Sequence, residues 1–207
     1  MGQHKMSNKT VTWLKIAGTC GIITPLVAFG CILLAIAYAP QFSWTDNALS
    51  DLGVMPDPTS VLFNMGLIAS GVLAIVFAFG LFMFLNRTVS GRIGAIMFVF
   101  DSLALICIGI FPESAKPMHL YASVAFFAIF PLAMFLMTAS FVLSSKHRMA
   151  LFTFAIAVFA AVVWVAEFSV HYVPGVAIPE TLSALAACLW TVVLSFNMLR
   201  KPSNPDT

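Results

Sequence analysis

"TSVLFNMGLIASGVLAIVFAFGLFMFL", Thr59 to Leu85, runs for 27 residues without a charged side chain. As a helix rising about 1.5 Å per residue it is about 40 Å long, enough to cross the ~30 Å apolar core of a bilayer. The rest of the chain matches it in character. Of 207 residues, 61% are hydrophobic and 9% charged, and the mean hydropathy is +1.01. Soluble domains carry about a quarter charged residues, so the solvent for this surface is lipid.

Outward from that stretch, five more apolar runs fall at residues 13–39, 93–111, 118–143, 149–172 and 179–199. The expected fold is all-α: an integral membrane bundle of six transmembrane helices forming one domain over 1–207. The first run has the basic start of a signal peptide, but its apolar core is longer than the 7–15 residues of such a peptide, and we expect it to be retained. Ala17/Gly21 and Gly66/Ser70 have the small-xxx-small spacing that lets membrane helices approach closely. Pro25 and Pro131 each remove a helical donor. Cys20, Cys31, Cys107 and Cys188 lie in apolar runs with no CxxC pair and read as small packing residues.

Positive charge sets the expected orientation. Lys5, Lys9, Lys15, Arg87, Arg92, Lys146, Arg148, Arg200 and Lys201 share one side of the six-span arrangement, and Lys116 stands alone on the other. Both termini are therefore expected in the cytoplasm of a cell, with the protein in a cytoplasmic membrane. A net charge of +2 with no basic cluster gives no footprint for nucleic acid.

Polar residues gather in the outer half. Asp101 lies near the middle of the third run, about 15 Å below Phe111, where a carboxyl is costly. It is expected to be neutral or held by donors such as Asn64. Glu167 precedes His171 by four residues, on one helix face. His119 opens the fourth run, with Ser123 one turn on. Between the first two runs, "NALSDLG", Asn47 to Gly53, reads as a short amphipathic segment in the first outer loop. Thr45 or Asp46 would cap it and a left-handed Gly53 would end it, placing Asn47, Ser50 and Asp51 on one face toward an outward-open cavity floored by Asp101.

Three functional classes fit. In a membrane enzyme acting on a lipid or lipid-linked substrate, His119, Glu167 and His171 have the ligand chemistry for zinc, which would activate a bound water. Asp51 or Asp101 would handle protons, and Asn47, Ser50 and Asn64 would bind substrate. A non-catalytic sensor or assembly protein, a homo-oligomer among the options, would use the same residues to hold its bundle together. A proton-coupled transporter would need a polar pathway through the inner half, which the sequence does not supply, and no internal repeat is evident.

"NALSDLG", then "VLFNMGLIASG", then "IGIFPE" ahead of a histidine, resembles the prokaryotic membrane family catalogued as domain of unknown function 998. The matching positions are Asn47, Ser50, Asp51, Gly53, Phe63, Asn64, Gly66, Phe111, Pro112 and His119. The resemblance implies six spans and no established activity, and directs attention to Asn47, Ser50, Asp51, Asn64 and His119.

Overall fold

The computed structural model describes residues 8–200; Lys5 and Lys201 of the charge pattern lie outside them. Six long helices account for most of these residues: α1 (Asn8–Ala37), α2 (Thr59–Phe84), α3 (Val89–Ile110), α4 (Met118–Leu143), α5 (His147–Val170) and α6 (Ala177–Leu199). All six are long and apolar enough to cross a membrane, and no strand occurs among the described residues. The chain is a multi-pass membrane protein.

The helices pack in chain order, each against the next, and α6 returns to close on α1. In lipid, helix association rests on close packing and not on hydrophobic transfer, and the small residues serve that role. A side chain at Gly80 would strike Ala17, and one at Gly66 would strike Cys31. Both contacts join α1 to α2. Large apolar side chains on the outer faces, such as Leu26, Phe79, Leu151 and Phe168, are exposed and meet lipid.

The half of the bundle toward the α2–α3 turn is closed by an aromatic plug. Phe77, Phe98 and Trp190, from α2, α3 and α6, stack edge-on or tilted with ring centroids 5.7–6.3 Å apart. The indole nitrogen of Trp190 is satisfied by Thr153 Oγ1 at 3.0 Å on α5, so a large ring is buried at no polar cost. The opposite half holds a second apolar cluster beneath the α1–α2 loop.

The helix bounds depart from the sequence expectation where local polar groups decide. α3 begins four residues before the predicted 93 because Thr88 accepts a bond from Gly91 N–H at 3.1 Å, a side-chain N-cap. α5 stops at Val170, two residues short of the predicted 172. The amphipathic segment exists as a 3-10 helix, Leu49–Val54, preceded by Ala48 in extended conformation. Neither Thr45 nor Asp46 caps it, and Gly53 is not left-handed. An added Cβ at 53 would lie 2.6 Å from Asn64 Oδ1 and press that side chain aside.

Candidate functional site

Between the aromatic plug and the 3-10 helix lies a cavity of about 110 Å³. Phe98 and Ala74 line it where it meets the plug, and Leu49 and Ser50 line it from the 3-10 helix, which is its lid. Pro25, Ala28 and Phe29 of α1 and Ala184, Ala187 and Cys188 of α6 also border it, so the seam between these two helices runs along its wall. α5 contributes no lining residue.

The walls are apolar except for a few groups. Two are carboxyls, Asp101 from α3 and Glu180 from α6. Asp101 is 3% exposed, and its Oδ1 has no hydrogen-bond partner among the described residues. Glu180, 9% exposed, accepts the Leu49 N–H on Oε2 at 2.6 Å. That bond fastens the lid to the cavity wall. Two hydroxyls of the lining spend their protons on their own helices: Thr24 on Cys20 O and Ser102 on Phe98 O.

The lid is fastened at three further points. Gly175 and Ala177 N–H donate to Thr45 O and Asn47 O at 2.6 and 2.9 Å. Asn64 Nδ2 donates to Gly53 O at 2.9 Å. Asp51 lies near enough to Glu113 in the α3–α4 loop for the two carboxyls to share a proton. Inside the lid, Asp51 Oδ2 accepts from Asn47 Nδ2 at 2.7 Å and from Ala48 N–H at 3.0 Å.

Each residue picked from the sequence can now be placed. Ser50 and Asp101 line the cavity. Asn47 and Asp51 build the lid and its outer contact, so the three lid residues do not share one face toward the cavity. Asn64 braces the lid and does not serve Asp101: its carbonyl lies against Gly109, eight residues or about 12 Å along α3 from Asp101. His119 is buried, its Nδ1–H donating to Phe111 O at 2.8 Å, with Ser123 Oγ 3.4 Å from Nε2. Glu167 is 4% exposed, on the helix that stays out of the cavity wall.

The proposed zinc set does not come together. His171 is the C-cap of α5 at φ 46°, ψ 60°, and this left-handed turn takes it off the helical face that its spacing from Glu167 implied. It is exposed while Glu167 is buried. Among the described residues no three His, Cys, Asp or Glu side chains are grouped to hold a metal ion.

The comparisons with known proteins follow this geometry closely in extent. A family model described as protein of unknown function (DUF998) matches residues 22–197. The chain belongs to that family. The DUF998 match runs from within α1 almost to the end of α6, so the lid, both cavity carboxyls and the His119 turn all fall inside it. Comparison with curated proteins and with solved structures found no match.

Glu180 and Glu113 are the functional candidates that sequence reading passed over. An acid in the first turn of a helix is ordinary, because it complements the helix dipole. The signal for Glu180 is its stripe: 180, 184, 187, 188 and 191 repeat at helical spacing on one face, and all five line the cavity. Glu113 carries no comparable signal, since its partner Asp51 lies in a different loop.

The Asp51–Glu113 contact has a definite pH dependence. Burial works against charge on Asp51, but the bonds from Glu113, Asn47 and Ala48, with Lys116 nearby, outweigh it and hold its carboxyl below the ordinary 3.8. The bond with Asp51, then burial and the charge of Asp51, push Glu113 above the ordinary 4.5. A lowered acid stabilises the contact above 3.8 and loses that as pH falls through its lowered value. A raised acid stabilises it below 4.5 and loses that as pH rises through its raised value. The lid is therefore held best in the window spanning 3.8 to 4.5, where the pair shares one proton. Hydrogen exchange of the Leu49–Val54 amides, corrected for intrinsic rates, should show protection roughly two- to five-fold higher there than at neutral pH. Glu113→Gln, which keeps a donor toward Asp51, should retain that protection at neutral pH. Equal loss in both proteins would show that the pair does not hold the lid.

Proposed function

We propose that the protein binds the polar end of a membrane lipid, or of a lipid-linked molecule, in the outer half of its bundle. The observation that carries this reading is an apolar cavity with two carboxyl groups in its wall, roofed by a polar lid and bordered by a helix seam. Ligand sites are mostly apolar with a few placed polar groups, and bundles form them between helices. A cavity of about 110 Å³ is somewhat smaller than the ~150 Å³ site that accepts benzene in an engineered core. It suits a head group and its first methylenes, with the tail left in the bilayer along α1 and α6.

The charge asymmetry supports placing both ends of the chain in the cytoplasm and the lid outside a cell membrane. Lys9, Lys15, Arg87, Arg92, Lys146, Arg148 and Arg200 lie toward the inner helix ends, against Lys116 alone outside. The aromatic plug in the inner half favours a one-sided binding site over a transport path. A second reading, an enzyme acting on the bound lipid, rests on Asp101. Its unpartnered carboxyl lines the cavity and stands where a proton donor or acceptor would meet the substrate. Asp51, tied up in the lid, would act there only by positioning the lid.

The test uses full-length protein in nanodiscs with a photoactivatable long-chain alcohol. Crosslinks are expected on α1 and α6 beside the seam, saturating with probe. They should be lost in Ala184→Trp, which fills the space beside Glu180. In intact cells, a cysteine at Ser114 should react with an impermeant thiol reagent and one at Ser145 only after lysis. Unsaturable labelling spread over all lipid-facing helices would overturn the binding reading, and the reverse cysteine pattern would overturn the orientation.

A further inference from the structure

We infer that the cavity selects its lipid by head-group charge, taking a neutral or cationic hydrogen-bond-donating head, an alcohol or an amine, and rejecting carboxylates and phosphates. This rests on the lipid-binding reading above and adds the ligand class to it.

The inventory of donors and acceptors leads there. No Lys, Arg or His lines the cavity, while two carboxyls do. An anionic head is bound by charged donors or by converging N–H groups, and neither is available. The Leu49 N–H at the lid is spent on Glu180 Oε2. The hydroxyl protons of Thr24 and Ser102 are spent on backbone carbonyls, and the other lining hydroxyls, Ser50, Ser123 and Thr191, are neutral groups that accept as well as donate. The one lysine on the lid side, Lys116, is 72% exposed and lies 3.5 Å from Glu113. His119 gives its Nδ1 proton to Phe111 O.

Acceptors remain in surplus. Asp101 Oδ1 is buried with no partner, and Glu180 has used one oxygen on the lid. A hydroxyl or ammonium head would supply the donors that these oxygens need. An anionic head would instead bring a charge into an apolar enclosure whose wall holds no cation to compensate it, where an unpaired charge is costly. The same head would sit beside Glu180, the residue that holds Leu49, so occupancy would bear directly on the lid.

Dodecanol, dodecylamine, dodecanoate and dodecyl phosphate, matched in chain and different in head, would compete with the photoactivatable alcohol on protein in nanodiscs. The alcohol and the amine should displace the probe at roughly ten-fold lower concentration than either anion, or better. The preference should shrink in Asp101→Asn and in Glu180→Gln, each checked for a monodisperse elution profile. Equal displacement by all four, or stronger displacement by an anion, overturns the head-group inference and leaves lipid binding standing. No saturable binding by the probe or by any of the four overturns the lipid reading and this inference with it.

Discussion

Asp101→Leu should yield a protein that is more stable than the wild type and that no longer binds amphiphile. An ionisable group at the centre of a membrane helix costs about 2.5–3.5 kcal/mol on insertion scales. That cost is ordinarily offset by a hydrogen-bonded partner, and Asp101 Oδ1 has none. Leucine removes the polar group, and its larger side chain has the cavity to occupy. We expect a gain of about 1–3 kcal/mol, measured as a raised thermal midpoint in detergent, together with loss of saturable probe labelling. Such exchange of stability for function is common where a site holds a polar group in an unfavourable place. A destabilised Asp101→Leu, or one that still binds, would show that Asp101 serves the fold. Asp101→Asn separates the two functional readings. It keeps size and polarity, so binding should survive in part, whereas an enzyme that needs the carboxyl proton would lose turnover.

The architecture was legible because each run of Thr59–Leu85 type has only one use at that length. The site was legible one residue at a time and not as a constellation. Asp101 announced itself by being a carboxyl deep in an apolar run, a signal that depends on no partner. Glu167 and His171 looked like a pair because helical spacing was assumed to continue, and a single left-handed residue at 171 ended that spacing. Asn64 seemed suited to Asp101 by chemistry, but its depth on α2 assigns it to Gly53. Glu180 looked like an ordinary first-turn acid until the lid was laid over it. Pairings between loops, such as Asp51 with Glu113, are products of the closed bundle and leave no trace in local pattern.

Gly109→Ala should destabilise the protein, against the direction that helix propensity gives. In a helix interior, alanine is favoured over glycine by roughly 1 kcal/mol, and Gly109, in the last turn of α3, feels a smaller preference of the same sign. Its Cβ, however, would lie 2.6 Å from the Asn64 carbonyl oxygen, 2.8 Å from Ile68 Cγ1 and 3.3 Å from Ile68 N. Two of those three atoms are backbone, so no rotamer change makes room and α2 must move away from α3. Overpacking of this kind costs about 1–3 kcal/mol. The displaced residue is Asn64, whose side chain holds Gly53 O at 2.9 Å, so the strain passes to the lid and faster exchange of its amides should accompany the lowered thermal midpoint. Gly30→Ala is the matched control. An added Cβ there meets nothing within 4 Å, and propensity alone should raise its stability by up to about 1 kcal/mol. The two alanine variants should therefore differ in sign when thermal unfolding is followed in one detergent. Equal midpoints would mean that α2 and α3 yield at Gly109 without cost, and that the α2 brace on the lid is soft.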